Sequence, residues 1–311
     1  MYDRRKIIIG SRGSKLALWQ TNLVANELKK LVSCEIEIKK IKTTGDKILD
    51  SPLAKIGDKG LFVKEIEVAL SEGRIDLAVH SMKDMPTDIP SDLTIGAVLK
   101  REDPCDVLLS RDSRSLANLP QNAVIGTSSL RRKAQLLRFR SDFSFIDVRG
   151  NLDTRLRKMD SGQFDGMILA AAGIKRMGWS ERIAEMISPN ICLSAVGQGA
   201  IGIETRKSDD DITSLVGQLN DDQTQVCVLA ERVLMKYLEG GCQVPIGALA
   251  QLKEEKLIMS AMVASLDGKK YIRDEISGDP KRGQFLAIEL ADKLLAQGAQ
   301  EILNEIRASA G

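Results

Sequence analysis

The feature that most constrains this chain is an alternation of strand-like and helix-like runs that occurs twice. In the first run, KIIIG (6–10) reads as a strand. KLALWQTNLVANELKKLV (15–32) spaces its apolar residues as a helix does, and Ser14 stands where a cap belongs. EIEIKKIKT (35–43) alternates like a strand, KEIEVALSEG (64–73) reads as a helix ending at Gly73, and IDLAVHS (75–81) is again a strand. This order predicts an α/β fold with a doubly wound, mostly parallel sheet and helices on both faces. It restarts after REDPCDVLLS (101–110). NAVIG (122–126) is a strand, TSSLRRKAQLLRF a capped helix, FSFIDVRG a strand and NLDTRLRKMDSG a helix, and GMILAAAGIKRMG is a strand entering a further helix.

AVGQGAIGIETR (195–206) returns to extended, Gly-rich chain. Crossings near 100 and near 196 would make a hinged pair of domains with a cleft between them. From about 220 the pattern changes. A long helix runs toward Gly240 and Gly241, LIMSAMVAS and KKYIRDEIS form a hairpin across Leu266-Asp267-Gly268, and an amphipathic helix closes the chain. The expected organisation is three domains: 1–100 with 196–219 (α/β), 101–195 (α/β), and a small α+β domain over 220–311.

Several function classes are excluded. No apolar run approaches the ~20 residues of a membrane span. MYDRRKIIIG carries an acidic residue and no small-residue cleavage site, so it reads as no signal peptide, and a cytoplasmic protein is expected. The five cysteines, at 34, 105, 192, 227 and 242, are too scattered for a zinc knuckle or a C-x-x-C pair, and their odd number argues against a disulfide framework. His80 is the only histidine, so a His-rich metal site is excluded, and a Ser-His or Cys-His mechanism would have to use it; no metal is expected. The net charge is +2, but Gly126–Lys158 holds nine basic residues against three acids, a local +6 that leaves −4 for the rest. Such a segment implies an anionic partner at one place on the molecule.

Six motifs could carry chemistry. In VHSMKDMP (79–86) a strand ends and Ser81, Lys83 and Asp84 follow. Ligands of open α/β sheets bind beyond the carboxyl ends of the strands, where Asp84 would be a catalytic carboxylate; a solvated turn pairing Asp84 with Lys83 is the alternative. GTSSLRR (126–132) puts three hydroxyls and two arginines at a strand-to-helix junction, which suits either an anion site or simple capping. VRGN (148–151) would aim Arg149 and Arg155 at the same cleft. A nucleic-acid surface would need aromatic stacking, and only Phe139, Phe143 and Phe145 are near, so a small multi-anionic ligand fits better. GQGAIG (197–202) matches the dinucleotide fingerprint by letter, but strand-like IGIETR follows where a helix should, and a hinge explains the glycines better. The charged stretch 42–62 suits a lid. In LEGGCQVPIG (238–247) Cys242 follows two glycines on a loop, and is either a nucleophile or a buried structural thiol like the other four cysteines.

GSRGSKLALWQ, LAKIGDKGLFVKE, VHSMKDMP, REDPCD, GTSSLRR, VRGN, AVGQGA and LEGGCQVPIGA stand in order along nearly the whole chain. This series closely resembles the porphobilinogen deaminases. The resemblance implies three domains, the first two like type II periplasmic binding proteins. It implies a dipyrromethane cofactor held by a thioether to Cys242. It implies a transferase of tetrapyrrole (haem) biosynthesis that adds four porphobilinogen molecules head to tail, each losing ammonia, and releases hydroxymethylbilane by hydrolysis. A monomer with porphobilinogen as its small-molecule partner, and no nucleic-acid or membrane partner, follows from the same likeness. The pyrrole rings carry acetate and propionate, which arginines pair well. By resemblance Arg12, Arg131, Arg132, Arg149, Arg155 and Arg176 would bind these groups, assisted by Ser14, Lys83, Thr127, Ser128 and Ser129. Asp84 would bind pyrrole N–H groups, stabilise the cation left when ammonia departs, and assist proton transfer. Gln20, Asp46, Lys55, Lys59, Phe62, Ser81 and Gln198 complete the implied set. Thr44, Gly13 and Lys15 depart from the usual pattern and put individual lid or cofactor contacts in question. Two other classes compete: an anion-binding protein without catalysis, and a nicotinamide oxidoreductase using GQGAIG.

Overall fold

The computed structural model describes residues 6–47, 60–148, 150–239 and 244–310. The described residues form two units: those within 6–47, 60–102 and 200–225 make the first, and those within 103–199 and 226–310 the second. The strands are β1 (Lys6–Ser11), β2 (Glu35–Lys40), β3 (Leu77–Ser81), β4 (Leu93–Val98), β5 (Asp106–Ser110), β6 (Val124–Gly126), β7 (Ser144–Ile146), β8 (Gly166–Ala170), β9 (Glu185–Ile187), β10 (Ile201–Arg206), β11 (Ile246–Lys253), β12 (Lys256–Ala264) and β13 (Tyr271–Gly278). The helices are α1 (Lys15–Leu31), α2 (Thr44–Lys47), α3 (Lys64–Ser71), α4 (Leu130–Phe139), α5 (Leu152–Asp160), α6 (Ala171–Arg176), α7 (Asp210–Gly217), α8 (Asp222–Tyr237), α9 (Gly283–Ala296) and α10 (Ala299–Ala310).

The first unit is built on a five-stranded sheet of order β2-β1-β3-β10-β4. β1 runs parallel to β2 and β3, whereas β10 is antiparallel to both β3 and β4. The expected mostly parallel sheet is therefore mixed. The chain re-enters this unit at the end of the sheet where β3 finishes, pairing Ile201 with Ser81, so β10 must run backwards. Ile7, Ile9, Leu77, Val79 and Ile203 pack on one face against Val24 and Leu28 of α1 and Ile212 and Val216 of α7. Ser14 caps α1 as its position predicts, accepting the Ala17 N–H at 3.2 Å.

The second unit repeats the plan in the order β7-β6-β8-β5-β9, with β6 parallel to β7 and β8 and with β5 antiparallel to β8 and β9. Each of the two mixed α/β sheets thus has one reversed inner strand, β10 in the first and β5 in the second. β5 lies within the stretch read as a boundary, because DVLLS is buried throughout and shows no alternation. Ser129 caps α4 and Asn151 caps α5. The same unit carries the antiparallel sheet β11-β12-β13. The β12–β13 hairpin turns where the sequence places it. The single closing helix is instead two, α9 and α10, separated at Gly298, whose φ of +100° ends the first. Leu234 and Leu238 of the α8 region and Leu290, Leu294, Ile302 and Leu303 of these helices cover the sheet in one apolar core. Among the described residues no helix is long and apolar enough to cross a membrane.

Candidate active site

In the first unit the sequence-selected residues converge. Arg12, Ser14, Gln20, Phe62, Ser81 and Asp84 line one small pocket, together with His80. They reach it from the ends of β1 and β3, from the first turns of α1 and, for Phe62, from the turn before α3; the ends of β1 and β3 are the carboxyl-end position expected for a ligand of an open α/β sheet. Arg12 is held on two sides. Its Nη2 meets Asp46 Oδ1 at 2.5 Å, and its guanidinium lies 4.1 Å from the centre of the Phe62 ring. Burial works to raise the Asp46 carboxyl, but the Arg12 hydrogen bond and charge outweigh it and keep the pKa below the usual carboxylate range. Thr43 Oγ1 donates to the same carboxylate at 2.8 Å. Gln20 and Ser81 hydrogen-bond each other at 2.9 Å. Thr44 gives both its N–H and its hydroxyl to Glu65 Oε1.

Met82, Lys83 and Asp84 form a single 3-10 turn directly after β3. Met82 is pinned by its N–H to Ala200 O at 3.0 Å. It packs so closely over Gly202 that a Cβ there would strike its sulfur, so the last glycine of GQGAIG is needed for this approach. Asp84 is half-buried and has no ion pair among the described residues. GQGAIG itself runs into β10, and no helix follows it. Gly197 N–H donates to buried Glu231 at 2.7 Å, which also takes the Ala250 N–H at 2.8 Å. The motif is thus a turn tied to the third sheet, without the strand–turn–helix geometry of a dinucleotide site.

In the second unit Arg131 and Arg132 point inward. Both close on Asp106, at 2.7 and 2.6 Å, with side chains only 6% and 10% exposed and Asp106 fully buried. Arg131 Nη1 also donates to Leu193 O, Arg132 Nη1 to Ile168 O, and Gln198 Nε2 to Asp106 Oδ1 at 2.9 Å. Burial opposes ionisation of Asp106, but the two guanidiniums prevail and hold its pKa far below the ordinary value. Two cations on one anion leave +1 at the head of α4. Thr127 and Ser129 complete this junction, and Ser128 Oγ is buried with no hydrogen-bond partner among the described residues. Arg155 Nε donates to Gly150 O at 2.8 Å and Arg176 Nη2 to Gly199 O at 2.7 Å.

Two of the three acids already counted in the net +6 of this segment pair with its own bases: Lys133 pairs with Asp147, and Arg140 pairs with Asp142 while binding the carbonyls of Leu116, Leu119 and Pro120. Asp106 was not selected from the sequence, although the acid closing REDPCD before an apolar strand is a visible signal for a buried counter-ion. Two of the described cysteines, Cys105 and Cys192, have thiols that their surroundings hold protonated. Burial and then Asp103 push the Cys105 thiol up to about 12, and burial and then Asp106 push Cys192 up to about 12. Cys242, Lys55, Lys59 and Arg149 lie outside the described residues.

Residues 7–214 match the family model for the porphobilinogen deaminase dipyromethane cofactor binding domain, and residues 225–296 match that for the porphobilinogen deaminase C-terminal domain. The porphobilinogen deaminase of Desulforamulus reducens is 54% identical over 306 residues, covering 98% of this chain and 99% of that protein. That of Chlorobium phaeobacteroides (strain BS1) is 51% identical over 309 residues, with 98% and 99% covered, and that of Moorella thermoacetica is 52% identical over 309 residues, with 98% of each covered. The periplasmic aliphatic sulphonate binding protein SsuA from Escherichia coli overlaps with a TM-score of 0.41 at 12% identity, over 76% of this chain and 71% of that one.

Proposed function

The chain belongs to the porphobilinogen deaminase family, and from that premise we propose how its residues share the work of building hydroxymethylbilane from four porphobilinogen molecules. The observation that carries the assignment is the convergence of Arg12, Ser14, Gln20, Phe62, Ser81 and Asp84 on one pocket. The cofactor-binding side fits a polycarboxylate. The Asp106 cluster keeps a net positive charge at a helix start, and the orphaned Ser128 hydroxyl lacks a partner that a carboxylate or water would supply. When bound, dipyrromethane supplies the electron-rich pyrrole end that the first substrate joins, with Cys242 as its thioether anchor.

The remaining chemistry falls to side chains. Asp84 faces the reacting ring, accepts pyrrole N–H groups and stabilises the positive charge that develops on the substrate methylene as ammonia leaves. Arg12 presents a guanidinium fixed by Asp46 and Phe62, so little rotamer freedom is lost when it takes a substrate carboxylate. Arg131 and Arg132 serve differently from a simple open clamp: turned onto Asp106, they set the position of the Thr127–Ser129 junction and its charge. Lys83, Arg149, Arg155, Arg176, Gln198, Lys55 and Lys59 are assigned to carboxylate binding or its support. The reading includes the three-domain division, a single chain as the working unit and the cytoplasm as its place.

Incubating the purified protein with porphobilinogen tests this. The expected result is one ammonia released per porphobilinogen consumed and one linear tetrapyrrole per four. Porphobilinogen binding without ammonia release would favour a non-catalytic anion-binding protein and contradict the proposal.

A further inference from the structure

Behind the Asp84 pocket lies a buried set of titratable groups that the proposed chemistry does not use. His80, on β3, meets Glu204 of β10, with Nε2 and Oε2 3.1 Å apart and side chains 3% and 0% exposed. The antiparallel register sets Gly202 opposite His80, which puts Glu204 on the same face as the imidazole. Glu67 is buried on α3, whose Ile66, Ala69 and Leu70 pack with Ala78 of β3, and the charges of Glu204 and His80 both act on it. Oε1 of Glu204 and Oε1 of Glu67 are both buried with no hydrogen-bond partner among the described residues. Two orphaned carboxylate oxygens in one apolar layer are costly unless a proton or a water joins them. The set also spans two openings. His80 lines the pocket that holds Asp84, whereas Glu67 lines a separate surface pocket with Lys64, Glu72, Pro86 and Asp88.

We infer that His80, Glu204 and Glu67 form a proton path from the Asp84 pocket to this second pocket, with Glu67 as its outer port. The inference rests on the deaminase reading. In each condensation the substrate C–N bond breaks and ammonia leaves with the electron pair. A ring carbon of the growing chain then forms the new C–C bond with the methylene. That carbon's C–H bond breaks, its electron pair returns to the ring, and a proton must leave a confined pocket. Asp84 takes this proton and hands it to His80. The imidazole releases its Nε2 proton to Glu204 Oε2, and a proton passes on to Glu67 and out, so no charge accumulates.

Burial first, then the negative charge of Glu204, raises the Glu67 carboxyl to about 7, with Asp92 adding to the effect and His80 opposing it. The outer pocket adds the charges of Lys64, Glu72 and Asp88. A port with this value can both receive and release a proton near neutrality.

The test compares wild type with Glu67→Gln and Glu67→Asp. For wild type, kcat should rise with pH through about 7, as Glu67 becomes able to accept. For Glu67→Gln we expect kcat to fall by about 10²-fold with KM unchanged and that limb to disappear. Glu67→Asp should restore part of the rate and the limb. An independent readout needs no substrate: infrared difference spectra of the wild type should show a protonated-carboxyl C=O band that titrates near pH 7. Absence of that band, or a Glu67→Gln enzyme with wild-type kcat and pH profile, overturns the path. If the wild type itself fails to release ammonia from porphobilinogen, the deaminase reading is what fails.

Discussion

Asp84→Ala is expected to give a folded protein that consumes porphobilinogen at least about 10²- to 10⁴-fold more slowly than the wild type, the range that general acid–base and charge-stabilising groups contribute. The structural cost should be small. Asp84 sits half-buried on a one-turn 3-10 segment, and no ion pair among the described residues depends on it. The turn is fixed instead by Met82, through its bond to Ala200 and its packing on Gly202. Asp84→Asn separates the two roles assigned to the carboxylate. The amide can still accept a pyrrole N–H, but it cannot neutralise the developing cation, so its rate should lie close to that of alanine. Turnover within threefold of wild type in either variant, with unchanged thermal unfolding, would show that the reacting carboxylate is elsewhere.

The second large effect concerns stability. Asp106→Asn removes the one anion that, among the described residues, faces both Arg131 and Arg132 in a buried site. Breaking a buried pair from one side leaves an uncompensated charge and costs about 3–5 kcal/mol; here two guanidiniums lose their partner, so the upper part of that range is expected. Asp106 also accepts from Gln198 and Cys192, which spreads the damage to the turn before β10. The pH dependence has a definite sign. The folded-state pKa of Asp106 is depressed, so its contribution is fully present above the ordinary carboxylate value near 4 and is lost only as pH falls further, through the folded value. Denaturant unfolding at pH 7 should therefore separate variant from wild type, and the gap should narrow toward pH 2. A loss below about 1 kcal/mol at pH 7 would mean that the arginines find other partners.

How far the sequence could be read follows from which interactions are local. Ser14 and Ser129 cap their helices as expected because a cap joins residues three apart. The hairpin at Gly268 was legible for the same reason, its φ of +72° suiting glycine. The reversed direction of β10 was not, since it depends on where the chain re-enters a sheet begun almost 200 residues earlier. The basic segment was visible, but its direction was not. That Arg131 and Arg132 face Asp106, 25 and 26 residues away, has no local signature. The convergence of Arg12, Gln20, Phe62 and Asp84 was legible only through the family resemblance, because periodicity places elements and not their neighbours. Nothing in the local sequence singles out Glu67, on α3, or Glu204, on β10. Their burial beside His80 emerges only from tertiary packing.

The central claim, a chain that carries its own pyrrole primer, is tested most directly by the intact mass of the purified protein under denaturing conditions. The expected mass exceeds that of the bare polypeptide by two linked pyrrole units, and the excess disappears in Cys242→Ser. An active preparation whose mass equals that of the bare chain, or a Cys242→Ser protein that keeps the excess, would contradict the account.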